Sequence, residues 1–165
     1  MTKQVPLVTI IGVSKAGKTT LIEKLIPELR RRGFRVGTIK HHSHPGLEID
    51  QPGKDSWRHA QAGSDHVVVA CPDRIASYRS LEHELDLDDI ASEMTNVDII
   101  LTEGYMQATK PTIQVVREAN SLELIGTAEQ CIAIATDATL PVETPCYGLN
   151  DTVALADLLE RSFLS

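Results

Sequence analysis

The sequence predicts an α/β protein whose mainly parallel sheet carries helices on both faces. Three observations predict it. Short β-branched runs alternate with stretches of helical periodicity, several of those runs are apolar throughout and so read as strands covered on two sides, and the first run passes into a helix through a glycine-bearing loop.

Taken in order, residues 8–12 (VTIIG) form a β-branched strand ending in glycine, and residues 19–32 follow as a helix with Leu21, Leu25, Ile26 and Leu29 at helical spacing. Gly33 stops that helix and residues 34–41 (FRVGTIKH) give a second strand, completing a βαβ unit with parallel strands. Residues 42–53 are polar and punctuated by Pro45, Gly46, Pro52 and Gly53, a long connection of the kind that is functional or mobile. A helix is expected over residues 55–62, a strand over 66–70, a short β-like piece at RIASYR with the look of an edge hairpin, and a helix over 85–94. The run VDIILTEGY, residues 97–105, is a buried strand, PTIQVVRE and CIAIATD supply two more, and residues 151–163 close the chain as an amphipathic helix.

At 165 residues the chain has the size of one domain, residues 1–165, able to bury roughly two-thirds of its unfolded surface. Its net charge of −7 repels polyanions, and an aromatic share of 4% provides no stacking platform, so nucleic acid is not an expected partner. Any phosphate must be held by locally arranged donors. Cys71, Cys131 and Cys146 are odd in number and contain no C-x-x-C pair, which suits a reducing compartment; without a span or a secretory leader, the expected location is cytoplasmic and away from membranes.

Residues 12–19, GVSKAGKT, fit G-x-x-x-x-G-K-[ST] in full, between strand and helix. Glycines let successive backbone N–H groups converge on one point, and the helix adds its positive dipole end, so a nucleotide β-phosphate belongs there. The cofactor-binding set is Gly12, Ser14, Lys15, Ala16, Gly17, Lys18, Thr19 and Thr20. Lys18 would reach the β- and γ-phosphate oxygens and the Thr19 hydroxyl would ligate Mg²⁺. Lys15 has two readings, a charge beside the phosphates or a solvated surface lysine.

Such a loop needs a carboxylate from another strand. Asp98 precedes the apolar run and reads as a strand-start surface residue, whereas Glu103 ends it before Gly104, at the carboxyl edge where ligands bind in open α/β sheets. Glu103 would hold Mg²⁺ through a water or orient the attacking water; the competing reading is a strand-end acid bonded to a loop amide. Lys40 and His41, with His42 and His44 beyond, stand at the end of the second strand; Lys40 and His41 are the candidates for phosphate or substrate contact, and the cluster reads equally as an ordinary hydrated loop or, with three histidines, as a transition-metal site. Asp55, with Ser56, falls where a helix N-cap belongs. The basic group Arg30, Arg31, Arg32 and Arg35 reads as a solvated helix end, and core packing is the default for Trp57 and Tyr105.

The loop, "IKHHSH", "IDQPGKDSWRHAQAGSD" and "LTEGY", followed by "VRE" and "ATD", together resemble the MobB family, GTP-binding accessory proteins of molybdenum-cofactor guanylylation, over nearly the whole chain. The resemblance implies a P-loop NTPase-like fold of the GTPase kind that binds GTP with Mg²⁺, hydrolyses it feebly and forms a homodimer. It also implies work beside the MobA-like molybdopterin guanylyltransferase that joins GMP to molybdopterin. It points to Asp50 as a magnesium or water-orienting residue, which makes Lys18, Glu103 and Asp50 the catalytic set and Thr19, Glu103 and Asp50 the metal set. Asp137, at the end of CIAIATD, is placed to accept from a guanine base or serves only as a turn former; GTP over ATP rests on the family. The family often has small residues through the middle of the loop, and Lys15 departs from that. Two other functions fit the same loop: a small-molecule kinase with Asp50 or Glu103 as base, and a nucleotide-gated interaction module.

Overall fold

The computed structural model describes residues 4–164. They divide into two compact units, one holding the described residues up to His41 together with those from Asp86 onward, the other holding His42–Leu85.

The first unit is a six-stranded sheet. In chain order it contains β1 (Leu7–Ile11), α1 (Lys18–Arg31), β2 (Val36–Lys40) and, after the second unit, α3 (Leu87–Ser92), β5 (Ile99–Glu103), β6 (Thr112–Val116), β7 (Cys131–Thr136), β8 (Cys146–Gly148) and α4 (Thr152–Leu159). The strand order is β2-β5-β1-β6-β7-β8, and every pairing is parallel. β1 and β2 are parallel, as the βαβ pattern predicts, yet they do not touch: β5 lies between them, pairing Ile10 and Lys40 with Glu103 on its two sides. β8 was invisible in the sequence because three residues at the sheet edge carry no apolar run.

Successive strand side chains face opposite sides, and the two faces have different cores. Val8, Ile10, Ile99, Leu101, Ile113 and Val115 pack with Leu21, Leu25 and Leu29 of α1 and with Leu155 and Leu159 of α4. Leu7 and Ile100 face the other way, onto Leu87 of α3. Helices therefore cover both faces. That second face is less aliphatic than the composition suggests: Thr9 aligns with Thr102 and Thr112, all three are buried, and their hydroxyls have no hydrogen-bond partner.

The C-terminal segment continues past α4 as a π-helical turn, Glu160–Leu164. The arginines after α1 are not simply solvated as expected. The Arg32 side chain is only 12% exposed; its guanidinium meets Glu28 (2.9 Å), Asp157 (2.6 Å) and Glu160 (2.8 Å) and donates to the Val153 carbonyl, tying the end of α1 to the C-terminal helix. Partners from a distant segment are what the sequence could not supply. Arg35 pairs with Asp98, joining the residues that lead into β2 and β5.

The second unit contains α2 (Asp55–Gln61) and a hairpin of β3 (His66–Cys71) and β4 (Arg74–Arg79), antiparallel from His66↔Arg79 to Cys71↔Arg74. The hairpin is a sheet of its own. Its apolar run is largely exposed, Val68 at 51% and Val69 at 50%, while Val67 is buried. Asp55 does not cap α2: Lys54, in extended conformation, is the boundary residue, so Asp55 is already helical, 93% exposed, where its charge favours the helix dipole.

Candidate functional site

Because the strands are parallel, their carboxyl ends share one rim, and the order reverses at β1, whose neighbours are β5 and β6. Ligands bind in the crevice outside such a reversal. The loop after β1 occupies it. Gly12 has φ +149° and Gly17 φ +103°, conformations open mainly to glycine, and a Cβ on Gly12 would stand 2.5 Å from the Val115 carbonyl oxygen of β6. Ala16 is fully buried and its N–H donates to the Val13 carbonyl (3.3 Å), fixing the curl, while Lys15 is exposed at φ +63°. No side chain caps α1 and its first turn holds no acid, so the positive end of a 14-residue helix is left open to an anion.

Four predicted residues meet there. Lys18 Nζ donates to the carbonyls of Gly12 (2.9 Å) and Val13 (2.8 Å). Thr19 Oγ1 donates to Glu103 Oε2 (2.9 Å), and Lys40 Nζ donates to Glu103 Oε1 (2.9 Å). Burial pushes Lys18 below the ordinary lysine range; Glu103 opposes this and Lys40 adds to it. Burial works against ionisation of Glu103, but hydrogen bonds from Lys40 and Thr19 and the charges of Lys40 and Lys18 outweigh it, so its pKa falls below the usual carboxylate range. Glu103 is thus held as an anion at neutral pH. A threonine hydroxyl and a carboxylate oxygen 2.9 Å apart offer a hard cation two oxygen ligands, and Mg²⁺ characteristically takes its remaining ligands from water and phosphate. The residues present fit that ion. Among the described residues no cluster of three or more His, Cys, Asp and Glu side chains is arranged to hold a metal by itself, and the histidines after β2 show no such arrangement.

The other predicted residues have separate contacts. The His41 amide donates to the Glu103 carbonyl (2.9 Å) and its ring lies 4.6 Å from that of Tyr105. Asp137 follows β7, exposed, and accepts the amide of Glu118 (2.8 Å). Ser14 contributes its carbonyl to Asn120 Nδ2 (2.8 Å). Thr20 stands exposed in the first turn of α1. Asp50 belongs to the second unit, where its carboxylate accepts from Tyr78 Oη (2.9 Å) and the Gln51 amide (2.7 Å); hydrogen bonds from Ser56 and then Tyr78 lower its pKa.

Two residues beside the loop escaped the sequence reading. Asn120 holds Ser14, and Arg117, the residue after β6, places Nη2 3.5 Å from where a Cβ of Gly17 would be. The rule that selected Glu103, a polar residue directly after an apolar strand, selects Arg117 equally from the run TIQVVR.

A parallel sheet with a glycine loop opening onto a helix where the strand order reverses defines the P-loop NTPase-like class. The comparisons narrow it: the family model described as molybdopterin guanine dinucleotide synthesis protein B matches residues 7–137. The chain belongs to this MobB family. It is 39% identical over 163 residues to a molybdopterin-guanine dinucleotide biosynthesis adapter protein of Haemophilus influenzae, covering 98% of this chain and 91% of that one. It is 37% identical over 161 residues to the protein of the same description from Escherichia coli, covering 94% and 91%. A crystal structure of molybdopterin-guanine biosynthesis protein B superposes with a TM-score of 0.76 at 29% identity, covering 94% and 98%. Among the described residues no helix is long and apolar enough to cross a membrane.

Proposed function

We propose that this protein is an adapter in molybdopterin guanine dinucleotide biosynthesis that binds GTP with Mg²⁺ and presents it beside a molybdopterin guanylyltransferase. The pathway role is supported by the relatives' descriptions and the family match. The nucleotide reading is carried by one observation: Lys18, Thr19, Glu103 and Lys40 converge at the uncapped end of α1.

In this reading the loop amides and Lys18 receive the triphosphate, and Lys18 exchanges its bonds to the Gly12 and Val13 carbonyls for phosphate oxygens. Thr19 and Glu103 hold Mg²⁺, which supplies charge neutralisation on the phosphate oxygens. Lys40 keeps Glu103 ionised. Asp137 reads the base, and hydrolysis of the bound GTP is slow. The exposed apolar side chains of the β3–β4 hairpin support a homodimer, and the three free cysteines support a cytoplasmic setting.

Calorimetric titration of GTP, ATP and molybdopterin, each with and without Mg²⁺, tests the proposal. Tight Mg²⁺-dependent uptake of GTP is expected, with Lys18→Ala weakening it at least about tenfold through the lost charge-assisted bonds. Undiminished GTP uptake by Lys18→Ala would refute it.

A further inference from the structure

Arg117 sits on the side of the loop opposite Glu103 and Lys40, since β1 lies between β6 and β5. Its backbone is held firmly: the Arg117 carbonyl accepts the amides of Asn120 (2.9 Å) and Ser121 (3.0 Å), the amide of Glu118 is fixed by Asp137 (2.8 Å), and Asn120 anchors the turn to Ser14. Its side chain is not. Arg117 Nε is buried without a hydrogen-bond partner, while Nη2 lies against Gly17 at the mouth of α1.

A buried guanidinium donor with nothing to receive it is costly, and the cost rises with the positive end of α1 as its neighbour. A bound anion removes both penalties. The planar fork of an arginine matches phosphate oxygens, and the turn anchored by Asn120 fixes its origin relative to the loop.

We propose that Arg117 is a second phosphate-binding cation of this site, donating its guanidinium N–H groups to the phosphate chain of a bound nucleotide from the β6 side of the loop. The inference rests on the nucleotide reading above and adds a residue to it. Lys18 and Arg117 then grip the same chain from two sides.

Titrations of GTP, GDP and guanosine with Mg²⁺ against the wild type, Arg117→Ala, Arg117→Lys and Lys18→Ala test it, together with thermal unfolding of each without ligand. Arg117→Ala should weaken GTP and GDP about tenfold or more, spare guanosine, and leave the ligand-free melting temperature unchanged or higher, because Nε has no bond to lose. Arg117→Lys should recover part of the affinity by restoring charge without the fork. Binding by Arg117→Ala within about twofold of wild type, beside a Lys18→Ala protein that has lost it, overturns this inference and leaves the nucleotide reading standing. Equal losses for guanosine and GTP assign Arg117 to base or sugar and overturn it as well. A fall in ligand-free melting temperature without recovery by lysine marks a structural role and does the same. A wild type that takes up no nucleotide overturns both readings.

Discussion

Gly12 shows how one residue serves both fold and site. Its φ of +149° turns the chain out of β1, and the space a side chain would occupy holds the Val115 carbonyl oxygen, 2.5 Å from an ideal Cβ. That oxygen belongs to the backbone of a buried strand and cannot swing away. Gly12→Ala is therefore expected to cost at least about 2 kcal/mol in denaturant unfolding without any ligand, through a strained φ and overpacking together. A variant of wild-type stability would contradict this. Lys18 is the complementary case: in contact with its own loop's carbonyls, it is desolvated and poised, so replacing it should tell on binding far more than on folding.

Elements in this fold are joined at both ends of the sheet by charge. At the amino ends, Arg35 and Asp98 tie the entries to β2 and β5, and the Arg35 guanidinium, with its own backbone amide, holds the Asp98 pKa at about 2 against an ordinary 3.8. A depressed carboxylate pKa stabilises the folded state in full above the ordinary value and ceases to do so as pH falls through the folded one. Asp98→Asn should accordingly cost about 1 kcal/mol at neutral pH, the size of a partly exposed pair. The difference from wild type should shrink between pH 4 and about 2, read by urea unfolding across pH. At the carboxyl ends, Lys40 and Glu103 make the same β2–β5 connection, but on the rim that carries the glycine loop. Two similar ion pairs thus acquire different roles from the direction of the strands alone.

Across the whole molecule the two units are built on different terms. The sheet unit buries both faces, whereas in residues 42–85 Val67 is the buried apolar side chain and Ile75 is 74% exposed. Amide protection follows buried contacts, so the β3–β4 amides should exchange markedly faster than those of β1, β5 and β6 in hydrogen-exchange measurements. Equal protection would show that something covers the hairpin. Most of the sheet unit was legible in the sequence: the loop motif, the apolar runs ending at Glu103 and Thr136, and the helical spacing of Leu21, Leu25 and Leu29 are local patterns, and local patterns follow from the 2-residue and 3.6-residue periods. β8, the anchoring of Arg32, and the placing of Arg117 and Asn120 against the loop were not, since each depends on which strands become neighbours. By itself the sequence determined that a loop of the G-x-x-x-x-G-K-[ST] pattern joins the first strand to the first helix, because every residue that pattern requires is contiguous in the chain. Only the tertiary structure decided which distant side chains surround it, because parallel pairing of β5 and β6 on either side of β1 brings Glu103 to one flank and Arg117 to the other, and no spacing along the chain encodes that neighbourhood.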